Sequence, residues 1–333
     1  MCRTKTFERI KDQNPVSARN VIFIVGIGRS GTSLLQNMLN AHSEICFLPE
    51  NSFLRRYHAS GAYAKRLSRD GAGALARDLA NDENFARLGL SPDRIRSIIE
   101  APESASGDGF FRRVLSEVAA TCEACKLVGD KDPKLIEFLP LLAASFPEAH
   151  IIHIHRDPRD VILSKTRAEW SKDRPFLANL FAGRVQWSIV KRTGNHLFSG
   201  RFHELAYEDL IANPQDTLMG ICDVLGLSFE PAMLSPAKGG RALVASDEMS
   251  WKKESLGPLM RNNTEKWRQG LLPVQIALTE AVCGTMMRQA GYAKAEDNGP
   301  VSLFQRLGIV FQAALTSLLD APYCWYRKWT QPK

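Results

Sequence analysis

The sequence predicts an α/β protein of three layers, in which helices flank both faces of a mainly parallel central sheet. Short apolar runs rich in β-branched residues alternate with longer segments whose apolar residues recur at helical spacing. Turns rich in charged residues or glycine follow three of the apolar runs. Because ligands bind beyond the carboxyl ends of the strands in such sheets, these turns are predicted to meet in one site.

The composition is that of a folded globular domain. Of the 333 residues, 44% are hydrophobic and 24% are charged, so the chain can bury a substantial core. The formal net charge of +7 favours an anionic partner. The basic residues are scattered, and no nucleic-acid partner is predicted. Residues 1–20 form a polar segment without the apolar core of a signal peptide, and we therefore expect a cytoplasmic protein.

The seven cysteines form an odd, scattered set, which fits a reducing compartment better than a disulfide framework. Cys122 and Cys125 form a lone CxxC motif. A zinc site would need a second pair of ligands at suitable spacing, and the sequence offers none that is convincing. No metal is expected.

The first predicted elements are a buried strand at residues 21–25, a glycine-containing turn and a helix at Thr32–Leu39. The strand is continuous in β-branched and aromatic residues, whereas the helix carries apolar residues three and four positions apart. A short apolar strand follows at residues 45–48. Residues 52–124 then show a polar helical pattern, in which Ser91-Pro92 begins one helix. This segment is predicted to be an insertion between core strands.

The core resumes with a strand at residues 126–129, then a turn and a helix, and another strand at residues 150–155. A helix is predicted from about residue 161, and a further strand at residues 202–206. Asn213-Pro214 then leads into an amphipathic helix. Three turns follow strand ends and are predicted to form the composite site: residues 26–33, 130–133 and 156–159.

The first of these turns, "GIGRSGTS", has the features of an anion-binding loop. Gly26 and Gly31 permit a tight turn that brings backbone N–H groups close to a bound group. The helix that starts at Thr32 directs its free N–H groups and its dipole to the same place. Arg29 supplies a positive charge and a planar donor fork suited to an oxyanion. Three residues add hydroxyl donors: Ser30, Thr32 and Ser33.

Nucleotide kinases and NTPases have a lysine in their phosphate-binding loop where this chain has Thr32. A kinase or NTPase that uses Asp157 as a magnesium-linked acid is therefore an alternative that must account for the missing lysine. A non-catalytic nucleotide-binding protein, which uses the loop for binding and its C-terminal tail for docking, is another.

The segment "GIGRSGTSLLQNMLNAH" resembles the 5′-phosphosulfate-binding loop of sulfotransferases that use 3′-phosphoadenosine 5′-phosphosulfate (PAPS). The resemblance implies a P-loop-NTPase-like sulfotransferase fold. It also implies a set of residues that wrap the phosphosulfate: Arg29, Ser30, Gly31, Thr32 and Ser33. The proline that often precedes the arginine in that family is Gly28 here, a change that we expect to be tolerated.

A second segment, "HIHRDPRDVILSK", resembles the family's 3′-phosphate-binding element, in which an arginine after a strand is followed by a serine eight positions later. Arg156 and Ser164 have this spacing. Arg156 leaves the end of the strand and Ser164 stands about two turns into the next helix, so both can reach one phosphate. The pair implies a ligand with a 3′-phosphate.

Shorter matches extend the resemblance over residues 21–291. "GDKDPKL" is similar to a Lys-x-Pro turn of the family and implies that Lys131 lies near the transferring sulfonate. "LAYEDL" and "NNTEKWRQGL" resemble cofactor-side segments and imply that Tyr207 and Lys266 bind the nucleotide. The helical insertion matches no known motif, and acceptor specificity often resides in this region of the family.

The resemblance implies transfer of a sulfonate group from PAPS to a hydroxyl acceptor by in-line displacement. Adenosine 3′,5′-bisphosphate (PAP) is the product, and no metal is required. The acceptor is a carbohydrate, lipid, peptide or small alcohol. Arg29 and Lys131 supply cationic donors to the transferring group, where charge develops in the transition state.

Glu50 is the predicted general base, because it follows the second predicted strand as the catalytic glutamate does in tyrosylprotein and some carbohydrate sulfotransferases. A solvated loop carboxylate or a helix cap is the alternative interpretation. His58 is a competing base, since cytosolic small-molecule sulfotransferases use a histidine, although its position fits their motif poorly. His153 and His155 fall within a predicted buried strand and are expected to be core residues.

The main domain is predicted to span residues 21–295, and residues 296–333 to form an amphipathic helical tail. Residues 303–319 are rich in apolar side chains, with polar residues interspersed. The segment is slightly too short and too polar for a helix that spans a membrane. "YCWYRKW", residues 323–329, adds aromatic and cationic residues of the kind found at membrane interfaces. The tail is therefore expected either to pack on the domain or on a second copy, or to contact a membrane peripherally.

Overall fold

The computed structural model describes residues 21–122, 124–171, 173–240, 243, 257, 263–296 and 299–330. The predicted polar N-terminal segment, residues 1–20, lies outside the described residues. So do the side chains of residues 324–330, which include most of the aromatic cluster predicted at the end of the tail.

A parallel sheet forms the centre of the domain. Its strands are β1 (Val21–Gly26), β2 (Ile45–Phe47), β3 (Leu127–Lys131), β4 (His150–His155) and β5 (Phe202–Ala206). Their order across the sheet is β2-β3-β1-β4-β5, and all neighbouring strands run parallel. β1 is buried along its whole length, which explains its uninterrupted apolar sequence.

Helices cover both faces of this sheet. Those between β1 and β4 are α1 (Thr32–Leu39), α2 (Ala62–Asn81), α3 (Pro92–Ile99), α4 (Gly107–Ala119) and α5 (Leu139–Ser145). Those that follow β4 are α6 (Pro158–Thr166), α7 (Phe176–Leu197), α8 (Tyr207–Ala212), α9 (Pro214–Leu225), α10 (Pro236–Gly240), α11 (Trp267–Gly270), α12 (Pro273–Val282), α13 (Gly284–Gln289) and α14 (Leu303–Thr330).

Alternate residues of β1 point into two different cores. Phe23 and Val25 pack into a core shared with α2, α4, α5 and α7. Ile22 and Ile24 pack on the opposite face into a core shared with α1, α8 and α9. The alternation follows from the pleat of a strand, whose successive side chains leave opposite faces. The predicted three-layer α/β architecture is confirmed.

The segment between β2 and β3 is helical, as predicted. Phe53 lies at the centre of its core, where its ring contacts those of Tyr57, Phe110 and Phe111. Ser91 is the N-cap of α3, and its side chain accepts a hydrogen bond from the backbone N–H of Arg94. These aromatic residues belong to the same core as Phe23 and Val25, so the helices of this segment pack directly on the sheet.

Two element boundaries differ from the prediction, and one helix was not predicted. β3 continues to Lys131 instead of ending at residue 129, because Asp130 and Lys131 pair with β1 despite their charges. α6 begins at Pro158 instead of near residue 161, since the Asp157 carboxylate accepts a hydrogen bond from the Arg159 N–H and caps the helix. α7 is a long helix where the sequence analysis predicts no element. Hydrophobic periodicity predicts neither a strand end that carries charged residues nor a helix start that depends on a side-chain cap.

The tail helix α14 packs on the domain through one face only. Asp320 on that face accepts a hydrogen bond from Ser188 Oγ at 3.0 Å and lies 3.5 Å from Arg184 Nε, both on α7. Ile309 and Thr316 are also buried. The opposite face exposes large apolar side chains, namely Leu303, Phe304, Leu307, Val310, Phe311 and Leu318. Among the described residues, no helix combines the length and hydropathy that a membrane span requires.

Candidate active site

The strand order brings the three predicted turns together. β1 lies between β3 and β4, so the turns that leave these strands emerge side by side at the carboxyl edge of the sheet. The chain runs from β1 to β2 and β3 on one side and to β4 and β5 on the other, which makes this edge a topological switch point. The composite arrangement predicted from the sequence is therefore present in the fold.

Two glycines of the anion loop are required by close contacts. A Cβ on Gly26 would lie 2.6 Å from the Ile154 carbonyl oxygen of β4. Gly31 has a φ of +94°, and a Cβ there would collide with the ring of Tyr207. Gly31 also caps α1 through its carbonyl, which accepts a hydrogen bond from the Leu35 N–H at 3.0 Å. The loop is thereby held tightly against β4 and α8.

Arg29 joins the first predicted motif to the second. Its backbone has a φ of +79°, which is uncommon for a residue other than glycine. Its Nε donates a hydrogen bond of 2.8 Å to Ser164 Oγ on α6. The loop after β1 and the helix after β4 therefore meet through the two polar side chains that the resemblance assigns to a single ligand.

Arg156 lies beside this contact and is nearly buried. Its guanidinium stacks over the ring of Tyr207 at 4.3 Å from the ring centroid. Its Nη2 donates a hydrogen bond of 2.5 Å to the Asn263 carbonyl, and its Nη1 reaches the Arg29 carbonyl at 3.5 Å. Asp160 lies 3.7 Å away and balances part of its charge. Tyr207 accordingly orients Arg156, and its hydroxyl accepts a hydrogen bond of 2.7 Å from Asn263 Nδ2.

Two polar groups in this region have no hydrogen-bond partner among the described residues, and both belong to predicted ligand-binding residues. They are Ser30 Oγ and Arg156 Nε, and each is buried. A buried donor without a partner is destabilising, so such groups commonly mark a place that a ligand completes. A hydroxyl and a guanidinium N–H are the donors that a phosphate or sulfonate oxygen accepts. The residues present therefore fit the anionic nucleotide that the resemblance implies.

Lys131 lies between the loop and Glu50. Its Nζ donates a hydrogen bond to Glu50 Oε2 and lies 3.4 Å from Ser33 Oγ. The Lys131 side chain is 1% exposed, whereas that of Glu50 is 26% exposed. The ammonium thus faces the anion loop, and the carboxylate is open to an incoming molecule.

Two residues to which the sequence assigns no role, Asn51 and Asp130, hold the chain behind Glu50. Asn51 Nδ2 donates a hydrogen bond of 3.0 Å to Asp130 Oδ1, and Asn51 Oδ1 accepts one from the Phe53 N–H at 3.0 Å. Burial, together with the neighbouring Asp132 carboxylate, raises the pKa of Asp130 to about 7. Asp130 falls within the turn predicted at residues 130–133, and Asn51 adjoins Glu50 in the sequence.

The segment that carries Lys266 is anchored to α6 through its backbone. Asp160 accepts hydrogen bonds from the N–H groups of Glu265 at 2.8 Å and Trp267 at 3.0 Å. The side chain of Lys266 between them is exposed. Asp160 and Asn263 are thus further positioning residues that were not predicted, although Asn263 belongs to the segment "NNTEKWRQGL".

The histidines occupy other places. His58 Nε2 lies 2.9 Å from Ser145 Oγ, and Ser145 ends the helix that leads into the amino end of β4, on the opposite side from the anion loop. His153 is buried and bonded to Glu204, and burial lowers its pKa. Burial also lowers the pKa of His155 to about 4. His153 is a core residue, as predicted, whereas His155 is half-buried at the end of β4.

Asp157 and the CxxC motif have other contacts. The Asp157 carboxylate caps α6 and is bonded to the guanidinium of Arg159 at 2.7 Å. Burial raises the pKa of the Cys125 thiol to about 12, so this group is protonated at neutral pH. In the part of the chain that the structure describes, no group of three histidine, cysteine or acidic residues could hold a metal ion.

Comparisons with known proteins extend over most of this chain. A model described as the sulfotransferase family matches residues 21–231. The chain is 21% identical to carbohydrate sulfotransferase 1 of Danio rerio over 374 residues, which cover 86% of this chain and 82% of that protein. It is 23% identical over 304 residues to an uncharacterized protein of Aquifex aeolicus (strain VF5). That alignment covers 87% of this chain but 35% of the relative's length.

A solved structure shares the fold. The sulfotransferase domain from the Synechococcus PCC 7002 olefin synthase superposes with a TM-score of 0.56 and is 25% identical. The superposition covers 81% of this chain and 93% of that chain. The likeness therefore extends well beyond the anion loop.

Proposed function

This chain belongs to the sulfotransferase family, and from that premise we propose that it transfers a sulfonate group from PAPS to a hydroxyl group, releasing PAP. The observation that carries the proposal is the hydrogen bond between Arg29 and Ser164, at 2.8 Å. It joins the loop suited to a phosphosulfate to the element suited to a 3′-phosphate. PAPS carries both groups on one nucleotide, whereas ATP lacks the 3′-phosphate.

The anion loop holds the phosphosulfate end of the donor. Backbone N–H groups at the start of α1 and the hydroxyl groups of Ser30, Thr32 and Ser33 surround it. Arg156 and Ser164 bind the 3′-phosphate, and the Tyr207 ring keeps the Arg156 guanidinium in place. Lys266, exposed at the rim, adds a cation near the phosphates. Arg156 Nε supports this assignment, because it is buried and has no hydrogen-bond partner among the described residues.

The transfer needs positioning and charge stabilisation more than covalent chemistry. The bound donor supplies an activated sulfonate and a phosphate leaving group. Arg29 and Lys131 direct positive charge at the transferring group, where negative charge is spread over its oxygens. Lys131 is suited to this role because it already contacts Ser33 of the loop.

Glu50 is the proposed general base. Its carboxylate is partly exposed and paired with Lys131, so it adjoins the group that transfers and can accept the proton of an acceptor hydroxyl. Asn51 and Asp130 fix the backbone beside it. His58 lacks this placement, since its ring is bonded to Ser145.

The acceptor is a hydroxyl compound: a carbohydrate, lipid, peptide or small alcohol. A relative of this chain is a carbohydrate sulfotransferase, which supports a carbohydrate as one of these classes. The helical insertion, residues 52–124, follows Glu50 directly and provides an acceptor-binding surface beside it.

Binding measurements test the donor assignment first. We expect the full-length protein to bind PAP without magnesium and more tightly than ATP or ADP, as measured by isothermal titration calorimetry. Magnesium-dependent binding of ATP in preference to PAP would favour a nucleotide kinase instead. Transfer of label from ³⁵S-labelled PAPS to any acceptor would exclude a protein that only binds nucleotides.

We infer that the exposed face of α14 docks on an anionic membrane surface from the cytoplasmic side. The face presents Phe304 and Phe311, which are 86% and 69% exposed, together with the exposed cation Arg306. The acidic residue of the described helix, Asp320, faces inward and is paired with Arg184. Apolar residues with cations and no opposing acid are the pattern of interfacial helices.

A further inference from the structure

A pocket beside the proposed catalytic residues is lined by cations. It encloses about 400 Å³ between the helical insertion, the turn after β3, α7 and the tail helix. Arg55, Lys134 and Arg174 line it together with one carboxylate, that of Glu137. We call it the cation pocket. Its remaining wall is mostly apolar and includes Phe138, Ala182, Val185 and Tyr323.

The cation pocket adjoins the site of transfer. Arg55 Nε lies 3.2 Å from Asp132 Oδ2, and Asp132 follows Lys131 directly. The Asp132 carboxylate also accepts a hydrogen bond of 2.9 Å from the backbone N–H of Lys134. The same turn therefore presents Lys131 to the anion loop and Lys134 to the pocket. Asp132 thus contacts Arg55 of the pocket, and its neighbour Lys131 is paired with Glu50, so the end of β3 connects the pocket to the proposed base.

The positive charge of the pocket is only partly neutralised within the described part of the chain. Lys134 and Arg174 are exposed and form no ion pair with a described carboxylate. Glu137 accepts a hydrogen bond of 2.8 Å from the neutral amide of Gln186. Arg55 is balanced by Asp132. Lys134 and Arg174 together outweigh the one carboxylate that lines the pocket, so the pocket keeps a net positive charge.

A buried lysine stands behind these cations. Lys165 of α6 is 6% exposed and forms no hydrogen bond or ion pair through its side chain among the described residues. Burial, and then the nearby charges of Arg174 and Lys134, lower the pKa of Lys165 to about 8. An ammonium group without a partner is unfavourable in the protein interior unless an anion approaches it. Because Lys165 lies near Arg174 and Lys134, the three positive charges together attract an anion more strongly than two would.

We propose that the acceptor carries an anionic group close to the hydroxyl that is sulfonated, and that the cation pocket binds this group. A carboxylate, a phosphate ester or a sulfate ester meets the requirement. The apolar wall accommodates the uncharged body of the acceptor. This inference rests on the proposed sulfotransferase function and narrows its substrate class to anionic hydroxyl compounds.

A fractionated cell extract tests the proposal, because it offers the protein neutral and anionic acceptors separately. The extract is divided on an anion exchanger into a neutral and an anionic fraction, and each is incubated with the full-length protein and ³⁵S-labelled PAPS. We expect label in the anionic fraction. Label confined to the neutral fraction would overturn the proposal. Phosphatase treatment before labelling distinguishes the sources: loss of labelling identifies a phosphate ester, and retention a carboxylate or sulfate.

A double substitution connects the result to the pocket. Lys134→Gln with Arg174→Gln should raise the KM for the anionic fraction about tenfold or more, with kcat and the affinity for PAP nearly unchanged. Unaltered KM would contradict the proposal. The matched control, Arg192→Gln with Arg288→Gln, removes two exposed cations outside both the cation pocket and the helical insertion and should leave KM unchanged. Absence of PAP binding and of label in both fractions would instead refute the proposed function, and this inference with it.

Discussion

Arg29 Nε donates a hydrogen bond to Ser164 Oγ, although 135 positions separate the two residues in the chain. The bond shows that the loop after β1 and the helix after β4 share one surface at the carboxyl edge of the sheet. A ligand that spans this surface contacts both elements at once. Substitutions can separate the residues that bind this ligand from those that act in sulfonate transfer and from those that maintain the structure of the surface.

Arg156→Ala should weaken PAP binding by roughly 1.5–3 kcal/mol, the usual contribution of a hydrogen bond to a charged group. This corresponds to a Kd that is roughly 10- to 150-fold higher. Calorimetry with PAP measures it. Arg167→Ala removes an exposed arginine at the C-terminal end of α6 and should leave the Kd unchanged. Equal affinity of the wild-type protein and Arg156→Ala would contradict the assignment of the 3′-phosphate site.

Glu50→Gln should lower kcat by roughly 10² to 10⁴, the usual contribution of a general base, with PAP binding nearly intact. The glutamine oxygen can still accept the hydrogen bond of Lys131, so the local structure is preserved. Single-turnover transfer from labelled PAPS measures the effect. His58→Gln is the comparison variant and should retain turnover. The opposite result, with His58 essential and Glu50 dispensable, would exchange their roles.

Gly31→Ala should abolish PAP binding and destabilise the protein, because the added methyl group collides with the Tyr207 ring at a positive φ. Gly89→Ala is the matched control, since Gly89 has a φ of +69° and open space around it. The control should lower the free energy of unfolding by only about 1–2 kcal/mol, the cost of the left-handed backbone. Urea unfolding and PAP titration measure both variants. If Gly31→Ala matched the control in PAP affinity and in the free energy of unfolding, contact with the Tyr207 ring would not be the reason for glycine at this position.

Asp130→Asn should change how stability depends on pH. Burial raises the pKa of Asp130 from 3.8 to about 7, so between these values the folded chain holds a proton that the unfolded chain has lost. The stability that Asp130 contributes is present below about pH 4 and is lost as the pH rises to about 7. The asparagine variant should therefore be the more stable protein at pH 7, by at most about 4 kcal/mol at ~1.4 kcal/mol per pKa unit.

Urea unfolding at two pH values checks this prediction. The advantage of the asparagine variant should be much smaller near pH 4 than near pH 7. An equal difference at both pH values would mean that Asp130 titrates normally in the folded protein.

Phe304→Ser with Phe311→Ser should reduce co-sedimentation of the full-length protein with vesicles that contain phosphatidylglycerol. Both side chains are exposed, so the fold should be unaffected. Met219→Ser with Val224→Ser alters two exposed apolar residues of α9 and should bind vesicles like the wild-type protein. The opposite outcome is a wild-type protein that does not bind vesicles and forms a dimer, while the Phe304→Ser, Phe311→Ser variant is a monomer. That result would contradict membrane docking and show that the exposed face of α14 binds a second copy of the chain.

Periodicity in the sequence was sufficient for the sheet and its flanking helices. The run at β1 is buried on both faces, and every core strand predicted from an apolar run is present. The ends of elements were less predictable, since charged Asp130 and Lys131 extend β3 through pairing with β1. Strand pairing depends on neighbours that lie far away in the chain, and local composition does not encode it.

Glycine spacing and residue types predicted an anion loop that contains Arg29, and the family resemblance implied that Arg156 and Ser164 bind the same ligand. Such a loop can be predicted from local sequence because a tight turn at a helix start requires particular residues at fixed spacing. The tertiary structure alone joined Arg29 to Ser164, placed Lys131 against Glu50 and Ser33, and moved His58 to the other end of the sheet. It alone assembled the cation pocket from four separate segments. Such contacts depend on the strand order β2-β3-β1-β4-β5, because the order determines which turns lie side by side. No single segment of the chain encodes this order.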